Sequence, residues 1–437
     1  MLEAALTLAF TALCIHLIPR MPVFRIQGVR VELMMGLFGV KLLAGLSLVW
    51  IYTVIYPDRA YADIFRYFDD SAVIASSLTA HPWDFFRMLT GIDGAAPELS
   101  LYYDRMHNWY NTELVFRDTR TMIRFSALLR VFTLNTYFPQ VVVICFLSTI
   151  GLSGMFRFMR SLAPGRDLAL IVLLFMTPSV LLWTSGLIKE AFLFYAMGLL
   201  LFQIECWQQR SGKPVMRILA VLLAVFVLLT IKAYVFFLFA PVVLAPLASS
   251  VFPPAKRRVV AAVVFIAWMV LLAGIAPMVT GASLPDLLSA KRDEFIRLAT
   301  QVKAGSLIPM QSMEPGWAGL LVECPKALFR ALFYPLPNQV SGLLGVMSVL
   351  ENLLVLFFIV WMGIQAKHSG SRPGAAALAG LFFALALMLL ASLVTPVIGA
   401  LVRYKVPALP FLLFFFVSYA RIGFLDLPNR LKVPVSR

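Results

Sequence analysis

Long, nearly uncharged apolar runs recur along the whole chain, and they limit its fold more than any other feature. A helix needs about 20 residues to cross the roughly 30 Å hydrocarbon core of a bilayer. Runs of that kind, some a little short, lie near 2–19, 33–56, 138–159, 168–184, 188–206, 217–231, 233–249, 258–279, 343–366, 375–394 and 405–421. Overall 61% of the chain is hydrophobic and 14% charged, against about 25% charged in soluble domains. The expectation is an all-α, polytopic membrane protein of about 11 transmembrane helices, one integral membrane domain over 1–437, with the lipid bilayer as its first partner.

The net charge of +15 has a simple cause in that setting. Lys and Arg collect in the loops that stay in the cytoplasm, so the excess does not imply nucleic acid. The first segment carries Glu3 ahead of its apolar run and Arg20, Arg25 and Arg30 after it. This is the wrong polarity for a cleaved signal peptide and predicts an N-terminus outside. Alternating the spans from there puts eighteen basic residues inside: Arg20, Arg25 and Arg30; Arg157, Arg160 and Arg166; Arg210, Lys213 and Arg217; Lys256, Arg257 and Arg258; Lys367 and Arg372; and Arg421, Arg430, Lys432 and Arg437. Two large outer loops remain, 57–137 and 280–342, and the first holds ten Asp and Glu. Stretches 60–78, 114–132 and 286–304 within them have the pattern of amphipathic helices on a membrane surface. In the second, Arg117, Arg120 and Arg124 fall on one side and Met122, Phe125, Leu129 and Phe132 on another. Lys232 interrupts the run 217–249, and two helices joined by a tight turn keep that charge away from mid-bilayer.

The chemistry-bearing residues gather on the outer side. In Tyr61-Ala-Asp-Ile-Phe-Arg-Tyr-Phe-Asp-Asp70, a helix stacks Asp63, Tyr67 and Asp70 on one face, while Asp69 is left to pair with Arg66. Carboxylates at the membrane surface suit a general base. The plain alternative is a solvated polar face. In Pro178 to Glu190, Ser185 is positioned to cap a helix beginning near Leu187, with Gly186 easing the turn. That helix end, beside Lys189 and Glu190, suits an anion. Lys232 and Tyr234 mark another outer turn. Arg403, Tyr404 and Lys405 fall in a short outer loop, against the charge bias. Four cations (Lys189, Lys232, Arg403 and Lys405) thus reach one face from distant parts of the chain, where Arg forks onto phosphate oxygens. Glu351 lies within a span, where an ionisable group is a functional candidate, and Asn338 sits in the second outer loop. The four cysteines are scattered, and neither they nor the four histidines show metal-ligand spacing. Nucleotide-binding and zinc-protease motifs are absent, so a divalent metal is not indicated.

These features resemble the GT-C superfamily of membrane glycosyltransferases: the acidic segment Asp63 to Asp70 in a long first outer loop, Pro178-Ser179 to Lys189-Glu190, Lys232-Ala-Tyr234, and Arg403-Tyr-Lys-Val-Pro407 at the last span. The resemblance is one of architecture over most of the chain. It departs in two respects: the acidic loop follows the second span rather than the first, and the acidic pair lies further from the membrane than in many members. The resemblance implies a polyprenyl-phosphate-linked sugar as donor and a glycan, lipid or protein acceptor. It also implies a bacterial inner membrane with the active face towards the periplasm. Asp63 or Asp70 would be the base, and Arg403 and Lys405, helped by Lys189 and Lys232, would hold the lipid phosphate. The chain is similar, too, to bacterial polysaccharide polymerases and ligases, whose donors are polyprenyl pyrophosphates carrying oligosaccharides. A transporter or flippase is the third expectation.

Overall fold

The computed structural model describes residues 1–56, 58–59, 62–94, 96–107, 109, 118–340, 342–369 and 372–420. Arg117 and the last four cytoplasmic cations expected, Arg421, Arg430, Lys432 and Arg437, lie outside these. The described residues are mostly helical, with no strand beyond one isolated bridge between Leu307 and Val397. Eight helices among them are long and apolar enough to cross a membrane: Val31–Ile55, Phe138–Leu162, Lys189–Gln208, Pro214–Ser250, Arg257–Thr280, Gly342–Lys367, Ala375–Val394 and Ile398–Val417. Leu2–Leu17 and Asp167–Met176 are shorter apolar helices. The expected pair 217–231 and 233–249 is one helical stretch, Pro214–Ser250, broken at Lys232, whose backbone leaves helical geometry (φ −152°, ψ 85°).

Contacts divide the described chain into two compact units. One comprises Met1–Phe158 and Leu181–Phe236; the other comprises Met159–Val180 and the described part of Phe237–Asp426.

The first unit contains α1 (Leu2–Leu17), α2 (Val31–Trp50, closing in a wider π turn over Ile51–Ile55), α3 (Asp63–Ala80), α4 (Pro82–Thr90), α5 (Ser100–Tyr103), α6 (Asp118–Thr133), most of α7 (Phe138–Leu162), α10 (Lys189–Gln208) and the first part of α11 (Pro214–Ser250). Small residues let α7 and α10 touch backbone to backbone. A Cβ on Gly198 would lie 1.8 Å from the Gly151 carbonyl oxygen, and one on Gly154 would lie 2.3 Å from that of Gly198. Membrane helices that have no hydrophobic drive between them associate by such close packing. The connection 184–188 is tied to α2 in the same way. Lys41, fully buried, donates to the Thr184 carbonyl (3.1 Å), the Thr184 hydroxyl (2.5 Å) and the Ser185 hydroxyl (3.1 Å). Gly45 carries no Cβ where one would meet the Ser185 carbonyl at 2.6 Å.

Helices α3 to α6 form a layer of their own. Helix α6 does not simply lie on a membrane surface, as its pattern predicted. Arg124 Nε donates to the Met88 carbonyl at 2.9 Å, and Arg120 sits over the Tyr103 ring at 4.4 Å, so the arginine side faces α4 and α5. The apolar side meets α10 through an edge-to-face contact of Phe125 and Phe192 at 4.7 Å. Between α3 and α6, Arg130 lies over the Phe68 ring (3.6 Å) and donates from Nε to Ser71 Oγ (2.7 Å).

The second unit contains the remainder of α11, α12 (Arg257–Thr280), α13 (Leu284–Gln301), α14 (Gly316–Phe333), α15 (Gly342–Ser369), α16 (Ala375–Val394), α17 (Ile398–Tyr404) and α18 (Leu409–Val417), together with the short α8 (Asp167–Ile171) and the start of α9 (Pro178–Trp183). Helix α16 is its centre. Phe239, Phe383 and Phe411 form a buried aromatic trio with centroids 5.1 to 5.5 Å apart. Helices α13 and α14 close over the far end of α16 through Met313, Leu320, Ala327, Leu393 and Val394. Ser283 caps α13, and Asp286 accepts the Gly316 N–H at 2.9 Å, joining the starts of α13 and α14. On α12, Val259, Val263, Ile266 and Val270 are exposed at helical spacing. A face of that kind belongs in hydrocarbon.

Candidate functional site

Asp63 opens α3, where an acid complements the helix dipole. Tyr67 and Asp70 follow on the same face and are 1% and 2% exposed. Asp70 is fully engaged. Its Oδ1 accepts the backbone N–H of His107 (2.9 Å) and ring Nδ1 (2.7 Å), and its Oδ2 accepts Trp109 Nε1 (2.6 Å). A carboxylate only accepts, so Nδ1 carries the proton and Nε2 is left as the basic nitrogen. The His107 side chain remains 32% exposed. Asp70 therefore orients an imidazole, a role the sequence reading did not assign to it. Tyr67 stacks flat on Trp109 with centroids 5.1 Å apart, and the Arg66 guanidinium lies 3.8 Å from the Trp109 ring centre. Asp69 was expected to pair with Arg66. It is instead gripped by Arg59 in a two-bonded fork at 2.6 and 2.8 Å, because Arg66 is turned onto the indole.

Lys189, 9% exposed, stands at the first position of α10. Its ammonium donates to Thr119 Oγ1 (3.4 Å) and lies 5.9 Å from the Tyr67 ring centre. Glu190 beside it is completely buried and accepts from Lys232 Nζ at 3.1 Å. The break in α11 brings Lys232 there, and Tyr234 follows, 38% exposed. Ser185 does not cap α10. Its hydroxyl donates to the Leu181 carbonyl and accepts from Lys41, and α10 begins after Ile188 with no side-chain cap. In the first unit, then, the Asp63–Tyr67–Asp70 face, His107, Trp109, Lys189, Glu190 and Lys232 belong to one linked cluster.

Arg403, Tyr404 and Lys405 are in the second unit. The loop expected for them is helical, and Arg403 and Tyr404 end α17. Tyr404 packs against the apolar group Ile308, Ala391, Ile398, Leu401 and Val402. Lys405 is buried and donates to the Tyr334 carbonyl (2.8 Å) and Asn352 Oδ1 (3.2 Å). Two protein oxygens thus hold its ammonium. Glu351 accepts the backbone N–H of Ser179 (2.8 Å) and its hydroxyl (2.6 Å). Ser179, Ser348, Glu351, Asn352 and Lys405 line a small pocket together with Val355, Val402 and Leu409. Asn338 is exposed in the short turn Pro337–Gln339.

Among the described residues, no three His, Cys, Asp or Glu side chains converge as a metal-ligand set. Three important participants carried no sequence signal of their own. His107 and Trp109 meet Asp70 across 37 and 39 residues. Lys41 stands alone in an apolar run, and its position inside a span was the one hint available. Chemically, the first-unit cluster offers a proton acceptor at His107 Nε2, a carboxylate at Asp63, an aromatic wall and two cations. No family model matches the chain, and no curated protein or solved structure matches it.

Proposed function

We propose that the chain is a membrane glycosyltransferase that moves a sugar from a polyprenyl-phosphate donor to an acceptor hydroxyl on the outer face of a bacterial inner membrane. The observation that carries this reading is the first-unit cluster. It combines proton-accepting groups on and around α3 with Lys189 and Lys232, beside the stacked pair Tyr67 and Trp109. The orientation rests on the distribution of Lys and Arg, which places the eleven expected spans with 57–137 and 280–342 outside.

In a single displacement the acceptor oxygen bonds to the anomeric carbon as the bond from that carbon to the phosphate oxygen breaks. The phosphate leaves with the electron pair, and the acceptor proton passes to a base. His107, held by Asp70, and Asp63 are the two bases in reach of this role. Lys189, with Lys232 as a further candidate, would stabilise the departing phosphate, a contribution of about 3 kcal/mol for a well-placed donor.

The test is transfer in proteoliposomes supplied with polyprenyl phosphates carrying radiolabelled sugars. His107→Ala or Asp63→Asn should lower transfer by about 100-fold or more, the usual worth of a general base, while the protein still extracts as a folded species. Full activity in both variants would remove the base assignment. Turnover only with a pyrophosphate-linked oligosaccharide would replace the transferase reading with a polymerase or ligase.

A further inference from the structure

Arg292 on α13 and Arg330 on α14 converge on one carboxylate. Arg292 Nη1 donates to Glu323 Oε2 at 2.9 Å, and Arg330 Nη2 lies 3.6 Å from the same oxygen. Lys326 Nζ donates to Glu323 Oε1 at 2.9 Å. Three cations therefore share one anion, leaving a local charge of +2. Lys326 is at the surface, but the side chains of Arg292 and Arg330 are only 3% and 11% exposed. Burial pulls the Arg330 guanidinium below its ordinary value, Glu323 notwithstanding.

The same place holds donors that the protein does not use. The Nε–H groups of both Arg292 and Arg330 are buried and have no acceptor among the described residues. Nor do the hydroxyls of Ser392 and Thr395, which are 1% and 2% exposed at the end of α16. Ser392 adjoins the arginines, since Arg330 Nη2 reaches its carbonyl at 3.5 Å. Thr395 comes three residues later, one helical turn along. Buried donors without acceptors are uncommon in folded proteins, and here four occur on three helices around a cationic surplus.

The geometry points to a binding site for a phosphate-class oxyanion, formed by Arg292, Arg330, Ser392 and Thr395 with Lys326 at its rim. A phosphate monoester offers up to two negative charges against the surplus of two. Its tetrahedral oxygens can accept from guanidinium edges and hydroxyls together, and the Nε edge of arginine is the part that forks onto such oxygens. The anion is either free phosphate or the headgroup of a phospholipid; the donors are the same for both. This site lies wholly in the second unit and does not rest on the transferase reading.

The test uses the purified full chain. Inorganic phosphate is titrated by calorimetry, and dioleoyl phosphatidate is added in detergent and followed by native mass spectrometry. Wild type should bind one of the two probes, and Arg330→Gln and the double variant Ser392→Ala/Thr395→Ala should each weaken it ten-fold or more. The double variant removes only hydroxyls that have no acceptor among the described residues, so its loss of binding reports the ligand. Saturation by inorganic phosphate supports a free-anion site; retention of phosphatidate alone supports a lipid headgroup site. Binding of neither probe to wild type, or equal binding by wild type and both variants, overturns the proposal.

Discussion

Both oxygens of Asp70 are taken up by donors of His107 and Trp109. The spacing of Asp63, Tyr67 and Asp70 was legible from sequence, because helical periodicity alone puts them on one face. That both Asp70 oxygens are occupied was not legible, because the donors come from residues 107 and 109 in an irregular segment. The resulting arrangement, a buried carboxylate holding an imidazole by Nδ1, leaves Nε2 to exchange protons. Asp70→Asn would set an amide N–H against the donors now facing one of the two oxygens. It should cost about 1–3 kcal/mol, the penalty of leaving buried polar groups unpaired. A lowered melting temperature in detergent, together with reduced transfer, is the expected outcome; an unchanged melting temperature would show that the carboxylate is not holding the segment. Lys405 repeats the lesson. Its position against the charge bias was visible, but its partners, Tyr334 and Asn352, are 71 and 53 residues away.

Among the elements, the amphipathic helices were the most readable part of the chain. The stretches 60–78, 114–132 and 286–304 correspond to α3, α6 and α13, because each alternates apolar and polar faces strongly. Their partners were not readable, since nothing local says that the Arg124 side of α6 meets α4 and its Phe125 side meets α10. Lys232 breaks α11 as expected, whereas the Arg403 segment was taken for a loop because charge outweighed its helical continuation from Ile398. The glycines of α7 and α10 carry a direct prediction. Gly198→Val places a side chain where Gly151 backbone now lies, and overpacking of this kind costs about 1–3 kcal/mol or more. The variant should aggregate or elute broadly on size exclusion, where a monodisperse peak with unchanged melting would contradict the packing described. On α14, burial works to raise the Glu323 carboxyl, but hydrogen bonds from Lys326 and Arg292 win and hold it down to about 2, from an ordinary 4.5. A folded value below the unfolded one adds stability that is complete above about pH 4.5 and is lost as pH falls towards 2. The melting difference between wild type and Glu323→Gln should therefore be constant near neutral pH and shrink on acidification; a difference that grows with acid would contradict the ion cluster.

For the whole molecule, the all-α architecture with many apolar helices followed from run length alone, and eight helices of spanning length are present among the described residues. The division of contacts into two units was not visible, because both units mix segments distant in sequence. It separates Lys189 and Lys232 from Arg403 and Lys405, so the four cations grouped by topology are built on different frameworks. In the proposed transferase, the Lys189–Lys232 cluster receives a polyprenyl phosphate. Native mass spectrometry of the protein extracted in mild detergent, with a polyprenyl monophosphate added back, tests it most directly. Wild type should show a bound species at the mass of one such lipid, lost in the double variant Lys189→Ala/Lys232→Ala. Wild type that retains no polyprenyl phosphate, or a double variant that retains it equally well, would contradict the claim.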